Sequence, residues 1–253
     1  MIFDTHTHYD DSQYDEDLDS LLNSFKENNI SGAIAASANY DDIPKIIEIC
    51  RKYPFIYPTI GIHPEYADSF DDKVKEGLRS YIKEVNPVAV GEIGLDYHYE
   101  GFNAKAQEDA FIYQLKLARE YDKPVIIHSR DASQETFDII MNEKPEKRGV
   151  IHCFSSSYEM AKRYVDDGFY IGIGGVVTFK NGKKLKEVAE KIPLEYLLLE
   201  TDCPYLAPTP HRGERNSSLY LPLVVKEIAS LRGISEEEVI AATEENAKRL
   251  FNL

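Results

Sequence analysis

Short apolar runs punctuate the chain at residues 2–5, 32–37, 56–62, 88–92, 125–128, 150–153, 170–174 and 197–201, with longer segments of helical period between them. This alternation predicts successive βα units around a parallel sheet. Most of the runs are apolar throughout, as expected for strands covered on both faces. Residues 103–121 place Phe111, Leu115 and Ala118 on one helical face, and Leu221, Val224, Val225, Ile228 and Leu231 repeat at helical spacing further on. Ser235, three residues before Glu238, forms a capping-box pattern that starts a last helix, whose inward face is expected to carry Val239, Ala242, Asn246 and Leu250. Eight βα units without a linker, a low-complexity tract or a shift of composition imply one α/β domain over 1–253, a closed (β/α)8 barrel of the TIM type. The rival is an open doubly wound sheet, but no GxGxxG follows the first run. Gly172, Gly174 and Gly175 mark a strand end where the backbone passes close to something.

Composition narrows the picture. The 253 residues carry a formal charge of −15, which disfavours a broad electrostatic grip on a phosphate backbone, so any nucleic-acid contact is local. No apolar run approaches the length of a membrane span, and the start has neither a basic nor an apolar signal region. Cys50, Cys153 and Cys203 are widely spaced and odd in number, so they are expected to be buried thiols in a reducing, cytoplasmic setting. No obligate protein partner is evident.

In a barrel of this kind function gathers at the carboxyl ends of the strands. All seven histidines (His6, His8, His63, His98, His128, His152 and His211) fall at a predicted strand end or in the loop after it. His6 and His8 alternate on one strand, so both side chains point into the barrel and can share one ion. Glu92 closes the fourth predicted strand, His128 the fifth and His152 the sixth, while Asp202 follows the eighth. Imidazoles and carboxylates converging on one mouth make a divalent-metal site, with enough donors for two ions if Glu92 bridges them. A carboxylate at the end of an apolar strand is costly unless paired or metal-bound. Arg130 and the stretch from His211 to Asn216 bring cations to the same mouth, and Arg130 is read as a phosphate contact. Arg215 is balanced between that role and plain surface solvation, and Lys180, Lys183 and Lys184 are read as a solvated face. No GxSxG elbow is present, and the cysteines have no support as nucleophiles.

The segments Phe3-Asp4-Thr5-His6-Thr7-His8, Gly61-Ile62-His63-Pro64, Gly91-Glu92-Ile93-Gly94-Leu95-Asp96-Tyr97, His128-Ser129-Arg130, His152-Cys153-Phe154, Glu200-Thr201-Asp202-Cys203-Pro204-Tyr205 and Asn246-Ala247-Lys248-Arg249-Leu250-Phe251 resemble, in that order, the TatD family of metal-dependent deoxyribonucleases. The resemblance runs nearly end to end. It implies metal-dependent phosphodiester hydrolysis, with His6, His8, Glu92, His128, His152 and Asp202 as metal ligands and His63, Arg130 and Arg212 near the substrate phosphate. The chain departs from the family's pattern at Glu65, where a His is frequent, and at Arg215-Asn216-Ser217-Ser218, where Arg-Asn-x-Pro is common. Both departures are expected in loops that touch substrate. The expected cofactors are two divalent ions, Zn, Mg or Mn, with Asp202 taking a proton from the attacking water and Glu92 bridging. DNA ends, single strands or small phosphodiesters are the expected substrates. The alternatives are hydrolysis of a carboxylic ester or amide, and metal binding without turnover.

Overall fold

The computed structural model describes residues 1–253. Eight parallel strands pair in sequence order: β1 (Ile2–Thr7), β2 (Ile30–Ala35), β3 (Ile56–Ile60), β4 (Ala89–Asp96), β5 (Val125–Arg130), β6 (Gly149–Ile151), β7 (Tyr170–Ile173) and β8 (Leu197–Leu199). They form the expected barrel. Around it run α1 (Leu18–Asn23), α2 (Ile43–Lys52), α3 (Asp72–Val85), α4 (Ala104–Glu120), α5 (Ser133–Glu143), α6 (Tyr158–Asp166), α7 (Lys183–Lys191), α8 (Leu221–Arg232) and α9 (Glu236–Phe251). No helix is long and apolar enough to cross a membrane.

The ring closes at its carboxyl end, where Thr7 bridges Cys203, His8 N–H donates to the Cys203 carbonyl at 2.8 Å and Asp202 N–H to the His6 carbonyl at 3.0 Å. The seam therefore runs through three of the candidate metal ligands.

Two strands break register where they carry such residues. Between Val90 and Ile93, β4 advances three positions while its partner β5 advances two, from Val125 to Ile127. Between Asp4 and Thr7, β1 likewise outruns β2, from Ala33 to Ala35. An extra residue reverses which side chains face inward. Phe3 and Ala89 therefore pack with Ile126, Val150 and Leu198 in a buried cluster at the amino end of the barrel, while further up the same two strands His6 and Glu92 turn inward. The strand expected to end at Glu92 continues to Asp96, so Glu92 lies inside β4 and not at its end.

Helix α4 supports this end from outside. Gln114 brackets Ile62, donating to its carbonyl at 3.1 Å and accepting from its N–H at 2.8 Å; Gln107 does the same for Asp96, at 2.9 Å each way. Both glutamines are buried, beside the expected Phe111, Leu115 and Ala118. Helix α9 buries Val239, Thr243, Asn246, Ala247 and Phe251; Ala242 and Leu250, expected inward, are only half-buried because the buried stripe is centred one position away. Ala247 and Phe251 plug the amino end of the barrel. Of the cysteines, only Cys203 is buried; Cys50 and Cys153 are half-buried, and all three are free.

The Ser235–Glu238 capping box forms as expected, Glu238 N–H donating to Ser235 Oγ at 3.1 Å and Ser235 N–H to Glu238 Oε2 at 3.2 Å. Ser235→Ala should cost about 1 kcal/mol, read as a lower urea midpoint at unchanged slope. An unchanged midpoint would show that α9 is held by its packing alone.

Candidate metal centre

Five of the seven histidines meet at the carboxyl end of the barrel: His6 on β1, His8 just beyond it, His63 after β3, His128 on β5 and His152 after β6. His98 instead pairs with Asp131 at 2.8 Å, and His211 pairs with Glu214 at 2.9 Å while stacking on Tyr220. Neither joins the cluster.

Glu92 is the hub. Its Oε2 lies 3.2 Å from His6 Nε2 and 3.8 Å from His8 Nε2; its Oε1 lies 2.8 Å from His128 Nδ1, 3.5 Å from His152 Nε2 and 3.8 Å from His63 Nε2. The two oxygens thus face separate sets of imidazoles. Asp202 Oδ1 sits 3.4 Å from His8, 3.7 Å from His152 and 3.9 Å from His6. The His6 and His8 Nε2 atoms are 3.2 Å apart, and the rings of His6 and His152 stack with centroids 3.5 Å apart. His6 Nδ1 is buried and unbonded, so that ring is oriented by its stacking on His152 and by its Nε2 contacts.

The outer nitrogens of three of the rings are committed. His128 Nε2 bonds Asp96 Oδ2 at 3.1 Å, and His152 Nδ1 bonds Glu200 Oε2 at 3.2 Å. With the outer N–H of each ring held by a carboxylate, the inner nitrogen facing Glu92 is the one that must give up its proton and offer a lone pair when a metal binds. His63 is wired oppositely: its Nδ1 accepts the Glu65 N–H at 3.2 Å, so its proton sits on Nε2, pointing into the site. Asp96 and Glu200 were not sequence candidates. Glu200 is buried, its other oxygen accepting the Cys153 N–H at 2.6 Å, and a Cβ on Gly172 would meet its carboxylate at 2.3 Å. That close approach is what the glycine accommodates.

Behind β1, Asp4 accepts from Ser218 Oγ at 2.6 Å, Thr201 Oγ1 at 2.7 Å, Thr201 N–H at 3.0 Å and His6 N–H at 3.3 Å. It ties β1 to the loop after β8. Burial nonetheless pushes its carboxyl up to about 7. Asn216 Nδ2 donates to the Thr201 and Tyr205 carbonyls at 2.9 and 2.7 Å. The departure at Asn216-Ser217-Ser218, expected to touch substrate, is therefore a buried support. Arg215 is occupied by Asp17, at 2.6 and 2.8 Å, and by the Gln13 carbonyl. Arg130 lies 4.0 Å from Asp96 and is 43% exposed, free to meet a ligand. Arg212 packs over Phe179 at 4.2 Å, with no contact to the imidazole–carboxylate cluster.

The charges balance by proximity. Burial alone would raise Glu92, but the surrounding His6, His152 and His63 imidazoles hold it well below the usual carboxylate range. Burial would likewise lower His8 and His152; the carboxylates facing them win, lifting His8 to about 9 through Asp202 and Glu92, and His152 to about 10 through Glu200, Glu92 and Asp202. His63, desolvated and beside His128, falls to about 3 and stays neutral.

The donor set fits divalent ions. Nitrogen and oxygen ligands about 2.0–2.2 Å from one ion lie roughly 3–3.5 Å from each other. His6 lies at that spacing from both His8 and Glu92, and three groups of donors (His6/His8/Glu92, His63/Glu92/His128 and His6/His152/Asp202) each fall within 4.8 Å.

Fold and donor set together define a barrel hydrolase of the metal-dependent class. Comparison with known proteins agrees: the sequence profile described as TatD related DNase matches residues 3–252, and the chain belongs to that family. It is 41% identical over 258 residues, spanning all of both chains, to the uncharacterized metal-dependent hydrolase YabD of Bacillus subtilis (strain 168). It is 32% identical over 259 residues, again spanning all of both chains, to the 3'-5' ssDNA/RNA exonuclease TatD of Erwinia tasmaniensis. The crystal structure of YJJV, a TatD homolog from Escherichia coli K12, superposes with a TM-score of 0.96 at 30% identity, covering 100% of this chain and 98% of that one.

At pH 7 the metal-free site holds His8 and His152 protonated, and ligation requires both neutral. Uptake of a divalent ion should therefore release protons, and affinity should rise with pH toward 9–10; calorimetry in buffers of different ionisation enthalpy reads this directly. Uptake without proton release would mean that the ions bind elsewhere. Glu200→Gln and Asp96→Asn should each weaken metal affinity by about 10–100-fold, measured by chelator competition; unchanged affinity in both would remove these carboxylates from the centre.

Proposed function

We propose that the chain hydrolyses phosphodiester bonds of nucleic acid, at ends or in single strands, using two divalent ions held by His6, His8, Glu92, His128, His152 and Asp202. The observation that carries this reading is Glu92, whose two carboxylate oxygens address different imidazole sets, with His6 and His8 on one side and His128 and His152 on the other. The naming of the Erwinia relative as an exonuclease of single-stranded DNA and RNA supports the substrate class.

When bound, the ions supply Lewis acidity, lowering the pKa of a water and drawing charge from the phosphoryl oxygens. Asp202, 18% exposed against 3% for Glu92, is the carboxylate that water reaches. Although burial would raise it, His152 and His8 keep its pKa low, so it stands ionised and ready to take the water's proton. His63 presents a neutral Nε2–H to a phosphate oxygen, and the Arg130 guanidinium neutralises charge developing on the phosphoryl group. Glu92 keeps its negative charge between the two imidazole sets throughout.

His128→Ala should lose metal and phosphodiesterase activity together, while Arg130→Ala should keep metal and lose about 10²–10³ in kcat. Metal analysis combined with cleavage of an oligonucleotide checks both. A His128→Ala protein with full metal content and full rate contradicts the reading. Because the chain carries −15, single strands should be cut faster than long duplex at physiological salt; equal rates would sink that part.

A further inference from the structure

Six large apolar side chains are conspicuously exposed. Met1 and Leu253 are the chain ends. The other four sit on the two loops that flank the centre: Tyr99, 60% exposed, and Phe102 after β4, and Tyr205, 52% exposed, and Leu206 after β8. In an eight-stranded ring closed in sequence order, β4 and β8 are four strands apart, so the two loops face each other across the mouth.

Both tyrosine hydroxyls are tethered, and Tyr99 also meets the His98 ring edge-on, centroids 5.1 Å apart. Tyr205 Oη donates to Asp11 Oδ2 at 3.1 Å, and its ring stands edge-on to His8, centroids 6.4 Å apart. Tyr99 Oη accepts from the Arg130 guanidinium at 3.4 Å, which lies 5.3 Å from the Tyr99 ring centroid. Each exposed ring thus stands beside a group already read as a metal or phosphate contact. Burying such a ring in the core would have been favourable, and tethering it in water is not.

We infer that Tyr205 and Tyr99 are platforms on which the unpaired bases on either side of the scissile phosphate stack, an inference that rests on the phosphodiester reading of the centre. A cation-and-imidazole cluster for the phosphate, bracketed by two fixed aromatic faces, matches the composition of a nucleotide: an anionic group joined to a flat π-system. Stacking is indifferent to base identity and needs no basic groove, which suits a surface as acidic as this one. It also requires the bases to be unpaired, so the rings select against duplex by geometry as well as by charge. Arg130 links the two, lying 5.3 Å from the Tyr99 ring centroid and bonding its hydroxyl through one N–H while its other N–H groups are left for the phosphate.

The test compares two probes on the metal-loaded protein by fluorescence anisotropy: a phosphorothioate-linked octathymidylate that resists cleavage, and the same backbone built from abasic units. Wild type should bind the base-bearing strand at least about tenfold more tightly, since each stacked base contributes on that order. Tyr205→Ala and Tyr99→Ala should each cut that ratio several-fold, and Tyr205→Phe, which keeps the ring, should retain most of it. A wild-type ratio near one, or a ratio untouched by both alanine variants, overturns the inference. Cleavage of the natural-linkage octathymidylate is followed in parallel. If it is not cut although the ratio behaves as expected, the phosphodiester reading fails and the platforms stand; if it is cut while the ratio is one, the reverse holds.

Discussion

Two carboxylates and five imidazoles, each imidazole within 4 Å of a carboxylate oxygen at the buried end of a barrel, impose a single constraint: their charges must be balanced locally. Glu92 is only 2% exposed and cannot look to solvent. In the metal-free protein His8 and His152 are protonated beside it; a cation can take the place of the inner proton of His152, and of His128, because Glu200 and Asp96 hold the outer nitrogen of each ring. A buried carboxylate with neither proton nor cation beside it would cost several kcal/mol. On the proposed reading the cluster exchanges protons for metal, and the rest of the molecule is arranged to hold its side chains together.

The fold does this through the backbone. The closing seam of the barrel sets Asp202 against His6 with a main-chain bond, and Asp4 clamps the same two segments from behind. The extra residues in β1 and β4 let strands that begin with Phe3 and Ala89 facing the apolar plug end with His6 and Glu92 facing the cluster. The apolar and polar halves of the barrel interior thus use the same strands.

Much of this was legible in the sequence, and the exceptions have physical reasons. The eight strands follow from the apolar runs, the capping box from the Ser235–Glu238 spacing, and the six candidate donors from polar side chains at or just past the ends of five of those runs. The reversal of facing in β4 was not legible: register is a relation between two strands, and Val88–Ala89–Val90 reads as a uniform run whether or not Glu92 is shifted. Asp96 and Glu200 were missed because a carboxylate that bonds the outer nitrogen of an imidazole has no local mark. Period two offered a signal for Glu200, which lies midway between the inward Leu198 and Asp202. The stretch from Asn216 to Ser218 was assigned to the wrong side of its loop, since a polar triplet after a strand looks alike whether it meets substrate or supports the loop from beneath. For the cations, sequence placed Arg130, Arg212 and Arg215 together; the structure pairs Arg215 with Asp17 and lays Arg212 over Phe179, contacts that no local pattern in the sequence marks.

The most direct test of the shared-carboxylate centre is an anomalous difference map from crystals loaded with manganese. Two peaks per chain should appear, each touching a different oxygen of Glu92, one beside His6, His8 and Asp202 and the other beside His128 and His152. A lone peak remote from Glu92, or none at all with Glu92 still bonded to His128, would contradict the account.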